Sequence, residues 1–263
     1  MSEPVRIVVC VKHVPDAAAD RRFSADGRTD RAGVDSVLSE LDEYAVEQAL
    51  RVVESGVAGE ITYLTMGPDQ ASQALRKALS MGGDRAVHVV DDAIAGSDAV
   101  ATSLVLAAAI SRIGADLVVC GMASTDGVMS VVPAMLAERL GLAQVTYAGK
   151  LEVAGSTVRI RRDNDNASET VEAALPAVVS VTDQTGEARY PSFKGIMAAK
   201  KKPLETLSLA DLSVPSEEVG FPASRTAVDD ITRRPPRQAG TVVKDEGDGA
   251  VRLAEFLAAQ KFV

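Results

Sequence analysis

The residues best placed to do chemistry are Gly121-Met122-Ala123-Ser124-Thr125-Asp126-Gly127, which directly follow the apolar run Leu117-Val118-Val119-Cys120. A buried strand that ends in a small, hydroxyl-bearing turn bracketed by glycines lets backbone N–H groups come close to a ligand. The helix expected next, from about Met129 to Leu140, aims its positive end at the same spot. Together these features read as a phosphate seat. Neither a GxGxxG dinucleotide fingerprint nor a GxxxxGKS/T phosphate loop occurs in the chain, so the pattern points to nucleotide binding rather than nucleotide chemistry.

Other reactive residue types are sparse. The two cysteines, Cys10 and Cys120, each fall within a predicted buried strand and read as small core hydrophobes rather than as a disulfide or a reactive thiol. The two histidines, His13 and His88, have no cysteine or carboxylate partners at metal-ligand spacing. No metal site is expected.

The elements that must position the seat follow from patterning. With 263 residues, 46% of them hydrophobic, the chain suits one large α/β domain, alone or with an appendage. Val5 to Val11 is a β-branched run, as for a strand covered on both faces. A loop rich in Asp, Arg and Gly follows, from Asp16 to about Val37. Ser39-Glu40-Leu41-Asp42 has the form of a capping box ahead of a helix that ends near Ser55-Gly56. Ile61 to Met66 is the second strand, Ala71 to Met81 a helix stopped by Gly82-Gly83, and Ala86 to Val90 the third strand. Asp98 to Ile113 is a long helix with Ser97 as its cap, and Leu117 to Cys120 is the fourth strand. Such alternation forces a doubly wound, mostly parallel sheet, with ligands collecting where strand ends meet helix starts.

After Leu142 the pattern changes. Val145-Thr146-Tyr147, Lys150 to Val153, Val158 to Arg162, Ser168 to Ala174 and Ala177 to Thr182 are short segments with hairpin signals between them, predicting antiparallel strands appended to the sheet edge. The main domain is expected to span 1–220. From about Phe221 the chain is Pro-, Gly- and charge-rich up to Gly249, and a last amphipathic helix runs from Ala250 to about Lys261. This C-terminal arm, 221–263, has too little apolar surface to fold alone and is expected to lie across a partner.

Charge and composition exclude several classes. The net charge is −9, Trp is absent, and aromatic residues make up only 3%, which disfavours nucleic acid as a partner. The N-terminus has no basic segment followed by a long hydrophobic one, so no signal peptide is expected. No apolar stretch reaches the roughly 18 residues needed to span a bilayer. A cytoplasmic protein is expected.

Five segments then carry a resemblance: Cys10-Val11-Lys12-His13-Val14-Pro15-Asp16; Asp42-Glu43-Tyr44-Ala45-Val46-Glu47-Gln48-Ala49; Met66-Gly67-Pro68; Arg76 to Ala86; and Arg189-Tyr190-Pro191-Ser192-Phe193-Lys194-Gly195-Ile196-Met197 running on through Lys200-Lys201-Lys202. In this order they make the chain resemble the β subunits of electron transfer flavoproteins over nearly its whole length. That resemblance implies an adenine-nucleotide α-hydrolase-like fold and an electron-carrier subunit on which no substrate bond is made or broken. It also implies a heterodimer whose α subunit holds the redox-active FAD, while the β subunit carries a structural AMP. Some relatives carry a second FAD in the AMP place. The implied partners are acyl-CoA dehydrogenases, as in fatty acid oxidation, other flavin dehydrogenases, and a membrane quinone oxidoreductase downstream.

Carried over by position, the nucleotide site comprises Cys10, Ser39, Glu40, Leu41, Asp42, Met66, and Ala123, Ser124, Thr125, Asp126, Gly127, Val128, Met129, Ser130, Val131, Val132, Pro133 and Ala134. Many members have Asn-Pro-Phe where this chain has Ser39-Glu40-Leu41, and Gln, Thr and Gly where it has Val131-Val132-Pro133. Pro133 donates no N–H and Val132 has no hydroxyl, leaving Ser124, Thr125 or Ser130 to supply one. Asp126 either binds ribose or caps the next helix. The docking loop maps to Tyr190, Pro191, Ser192, Phe193, Lys194, Gly195, Ile196 and Met197, with Phe193 as its apolar anchor unless that ring packs on its own domain. Lys200-Lys201-Lys202 is either a solvated helix end or a patch that steers towards an acidic dehydrogenase rim. The rival reading of the residues is a stand-alone adenine-nucleotide sensor of the same fold.

Overall fold

The structure, a computed structural model, describes residues 4–232, 234–236, 240 and 242–263. Seven strands form one parallel sheet: β1 (Val5–Cys10), β4 (Gly59–Met66), β5 (Arg85–Val89), β6 (Leu117–Gly121), β7 (Ala143–Ala148), β11 (Ala177–Val181) and β12 (Leu204–Leu207), in the order β12-β5-β4-β1-β6-β11-β7. Alternate residues of each strand enter different cores. Ile7, Val9, Ile61, Tyr63, Leu117 and Val119 meet α1 (Glu40–Glu54) and α2 (Ser72–Met81). Val8, Leu64, Val87, Val118 and Val178 meet α3 (Ala99–Ile113) and α4 (Val132–Leu140). Burial on both faces explains why these strands read as continuous apolar runs. The chain passes from β1 outward through β4 and β5, then returns to β6 on the other side of β1. That reversal opens a crevice at the carboxyl ends of β1 and β6.

The segments after Leu142 divide in a way the hairpin signals did not foresee. Only β8 (Lys150–Ala154), β9 (Thr157–Asp163) and β10 (Ser168–Ala174) are antiparallel, forming a separate sheet that turns Leu151, Val153, Val158, Ile160 and Val171 onto the α1 side of the core. β7 and β11 are instead parallel members of the main sheet, β11 lying between β6 and β7. All five residues of β11 are buried, as two-sided cover requires. A further hairpin, β2 (His13–Pro15) with β3 (Ser36–Leu38), carries the excursion 16–35, and α5 (Phe193–Ala199) precedes β12.

Two helix starts differ from expectation. Helix α4 begins at Val132 rather than near Met129, because Val128 and Ser130 take φ of 53° and 57°, which no helix accommodates. Asp98, not Ser97, caps α3: its carboxylate accepts the Ala101 N–H at 3.0 Å, while the Ser97 hydroxyl donates to Ile94 O and accepts from Gly220 N. The compact unit runs to Val228, taking in α6 (Gly220–Ala223). Residues 229–263 form a second unit containing α7 (Gly249–Ala259), on which Val251, Leu253 and Phe256 are exposed.

Candidate functional site

The crevice is fastened by one carboxylate. Asp42, in the first turn of α1, is buried and accepts the Lys12 N–H at 2.9 Å just beyond β1, and its partners include the Gly121 N–H at the end of β6. A Cβ on Gly121 would fall 2.5 Å from Asp42 Oδ1 and 2.7 Å from Leu41 O, so glycine is required there. Burial pushes the Asp42 carboxyl up to about 7 against the opposing pull of the Lys12 N–H. This arrangement corrects the capping-box expectation. The Ser39 hydroxyl makes no cap bond, and the reciprocal bond is missing too, because the Ser39 N–H goes to Lys12 O at 2.9 Å and the Asp42 carboxylate is committed to the strand ends. Cys10 and Cys120 are free thiols side by side, and hydrogen bonding to Cys10, followed by burial, raises the Cys120 thiol.

Around the 123–127 turn the chain gathers cations. Asp126, with its side chain fully buried, accepts from Lys12 Nζ at 2.9 Å, from Arg31 Nε at 2.8 Å and from its own turn's Gly127 N–H at 2.7 Å. Burial opposes ionisation, but Lys12 and Arg31 outweigh it and hold the carboxyl far below the usual range. Asp126 therefore does not cap α4, which has no side-chain cap. Arg21 adds donors to Thr125 O and Asp126 O, and Lys12 Nζ also reaches Ser124 Oγ at 3.3 Å. The α4 start at Val131, Val132, Pro133 and Ala134 has no side-chain cap, with Pro133 in the first turn where its missing N–H is harmless.

The other segment is a mounted helix. Ser192 Oγ caps α5 through the Gly195 N–H at 3.0 Å. A Cβ on Gly195 would meet Ser80 O at 2.3 Å, so α5 lies directly on the end of α2. The two helix ends cap each other: Arg76 donates to Ala199 O and Lys202 O, while Lys202 Nζ donates to Leu79 O and Gly82 O. Lys202 is thus a structural cap, whereas Lys200 and Lys201 are exposed. On the N-terminal side Arg189 grips the buried Glu47 at 2.7 Å and Glu54 at 2.6 Å. What this mounting holds outward is apolar: Tyr190 is 92% and Phe193 81% exposed, with Ile196 and Met197 beside them. Phe193 does not pack on its own domain.

An Electron transfer flavoprotein domain model matches residues 27–212. The chain is 46% identical to the Electron transfer flavoprotein subunit beta of Mycobacterium tuberculosis (strain ATCC 25618 / H37Rv), over 98% of this chain and 99% of that one. A second relative of the same name, from Megasphaera elsdenii, is 34% identical over 98% of this chain and 100% of its own. The chain belongs to the electron transfer flavoprotein family.

Within this electron transfer flavoprotein subunit, the strand ends bring Cys10, Ser39, Leu41, Asp42, Ser124 and Asp126 together around Lys12. Glu40, Val128 and Met129 are exposed, and Met66, at the end of β4, packs against the α3 side of the core. Lys12, Arg21 and Arg31 were missed by the sequence reading. Lys12 was legible as the residue one step past the Cys10-Val11 strand end; the two arginines had no periodic signal, lying in an excursion read as loop. An open groove of about 790 Å³ between α1 and the β8–β9 sheet has its charged lining already paired, as Arg51–Glu47, Lys150–Glu152 and Arg161–Asp163. Among the described residues no His, Cys, Asp and Glu side chains cluster to hold a metal ion, and no helix is long and apolar enough to cross a membrane.

Proposed function

We propose that this chain is the β subunit of a heterodimeric electron transfer flavoprotein and acts as a carrier rather than an enzyme. It accepts electrons from acyl-CoA and related flavin dehydrogenases through FAD held mainly by an α subunit, and passes them towards a membrane quinone oxidoreductase. The observation that carries this reading is the rigid outward presentation of Tyr190, Phe193, Ile196 and Met197 on α5. Aromatic and aliphatic anchors on a pre-organised mount are what a docking surface needs, because little ordering entropy is lost on contact. Lys194, Lys200 and Lys201 flank it and suit an acidic rim on the partner.

We assign an adenine nucleotide, AMP by this reading, to the crevice. The Ser39 hydroxyl is buried without a partner beside Lys12, a position that a ligand's polar group would satisfy. Ser124, the 123–127 backbone and the uncapped α4 start would face the phosphate. AMP contributes rigidity, while the FAD supplies the electron chemistry. The arm 229–263 would cover, and be covered by, the α subunit.

Mass spectrometry of the ligands released from the purified αβ complex tests the reading. Equimolar FAD and AMP is the expected result; two FAD and no AMP would reassign the β site. A stable lone chain that binds AMP and never recruits an α subunit would favour the nucleotide-sensor reading instead.

A further inference from the structure

We propose that Arg21 and Arg31 are phosphate ligands, a pair of guanidinium groups carried on the 16–35 excursion that closes over the nucleotide at the 123–127 turn. The inference rests on the nucleotide reading above and names residues that the family positions do not include.

The excursion is a folded element. Phe23 pairs with Thr29 across a turn in which Ser24 and Arg28 share Asp26, and Asp30 N donates to Arg22 O at 2.9 Å. It lies over the carboxyl edge of the sheet, since Arg28 stacks 5.2 Å from the Phe221 ring while Arg21 and Arg31 reach the turn after β6. Both arginines therefore hang from a strut anchored at its far end.

The charge at their contact point is unbalanced. Lys12, Arg21 and Arg31 bring three positive charges into direct contact with the turn, where Asp126 is the carboxylate that pairs with Lys12 and Arg31, and the buried Asp42 beside Lys12 has its ionisation opposed by burial. The remaining positive excess suits a nucleotide phosphate, whether a phosphomonoester or a pyrophosphate. Spare donors exist as well. Arg31 spends Nε and one terminal nitrogen on Asp126, leaving its other terminal nitrogen without a partner among the described residues, and its side chain is 46% exposed. A planar fork with free N–H groups is the residue type suited to phosphate oxygens. Asp126 then acts as the fixed counter-ion that positions Arg31 and Lys12 before the ligand arrives.

The test uses the αβ complex, dialysed free of nucleotide and titrated with AMP and separately with FAD. R31Q is expected to weaken binding of the resident nucleotide about tenfold, the size of one lost charge-assisted hydrogen bond, with R31K recovering part of it. R21Q, whose partners are only backbone carbonyls, is expected to weaken binding without altering the melting temperature. Saturating nucleotide is expected to slow tryptic cleavage after Arg21, Arg22 and Arg28 in the wild type. Wild-type affinity in both R31Q and R21Q, or unchanged tryptic rates, overturns the clasp alone. Failure of the wild-type complex to bind either nucleotide overturns the nucleotide reading and the clasp together.

Discussion

At the scale of single residues, Asp42 is the group with the sharpest consequence. Its carboxyl is raised by burial from about 3.8 in the unfolded chain to about 7 in the folded one. Between those values the unfolded state releases a proton that the native state keeps, so this group lowers stability as pH rises from about 4 to 7 and adds no further change above. Urea denaturation of the wild type and D42N across pH 4 to 8 isolates the effect. The stability difference is expected to move in favour of the variant by up to about 1.4 kcal/mol per pH unit, with a flat difference overturning the assignment. The sequence revealed the glycine-bracketed turn because glycine and small hydroxyl residues advertise a close approach. It hid the role of Asp42, since a Ser-x-x-Asp spacing reads the same whether the carboxylate bonds its own helix or the ends of two strands brought in from 30 and 79 residues away.

At the scale of elements, the docking helix stands on paired charges and one glycine. Neutralising Glu47, which is almost fully buried and bonded to Arg189 and Arg51, takes the counter-ion from Arg51 and leaves Arg189 with Glu54 alone. E47Q is expected to cost about 1 to 2 kcal/mol of stability, less than a fully buried pair because both guanidinium groups are partly exposed, and to raise the KM for a dehydrogenase donor, because the stem of the 190–197 segment loosens. F193A, which removes an exposed ring and no internal contact of note, is expected to leave the melting temperature unchanged. Its effect is a loss of about 2 kcal/mol of docking, roughly a thirtyfold rise in KM, read by steady-state electron transfer. Equal KM values for F193A and wild type would remove Phe193 from the interface. Helices α1 to α4 and α7 and the first four parallel strands were legible from periodicity, whereas the caps expected at Ser39 and Ser97 were not found and α5 lay in a segment read as a loop. β7 and β11 were not, because a strand of five or six residues gives no directional signal, and what makes Ala177–Val181 parallel is the slot between β6 and β7 that only the assembled sheet provides.

For the whole molecule, the decisive fact is where the core ends. No buried hydrophobic residue of the described chain is numbered above Val219, and the compact unit closes at Val228. In the second unit, helix α7 leaves Val251, Leu253 and Phe256 exposed. An 11-residue helix of this kind is marginal in water by itself, since nucleation is unfavourable and only tertiary cover stabilises so short a segment. The helix therefore requires a surface to cover it, and by the function proposed here that surface belongs to the α subunit. A chain truncated after Val228 is accordingly expected to fold, with a melting temperature within about 3 °C of the full chain when both are measured alone. Its affinity for the α subunit is expected to fall at least a hundredfold, because the buried area of three apolar side chains on α7, at about 25 cal/mol per Å², amounts to several kcal/mol. Titration of the labelled α subunit with either chain, followed by fluorescence anisotropy, measures this directly. A truncated chain that unfolds would return the arm to the core, and one that binds the α subunit as tightly as the full chain would leave α7 without a role in assembly.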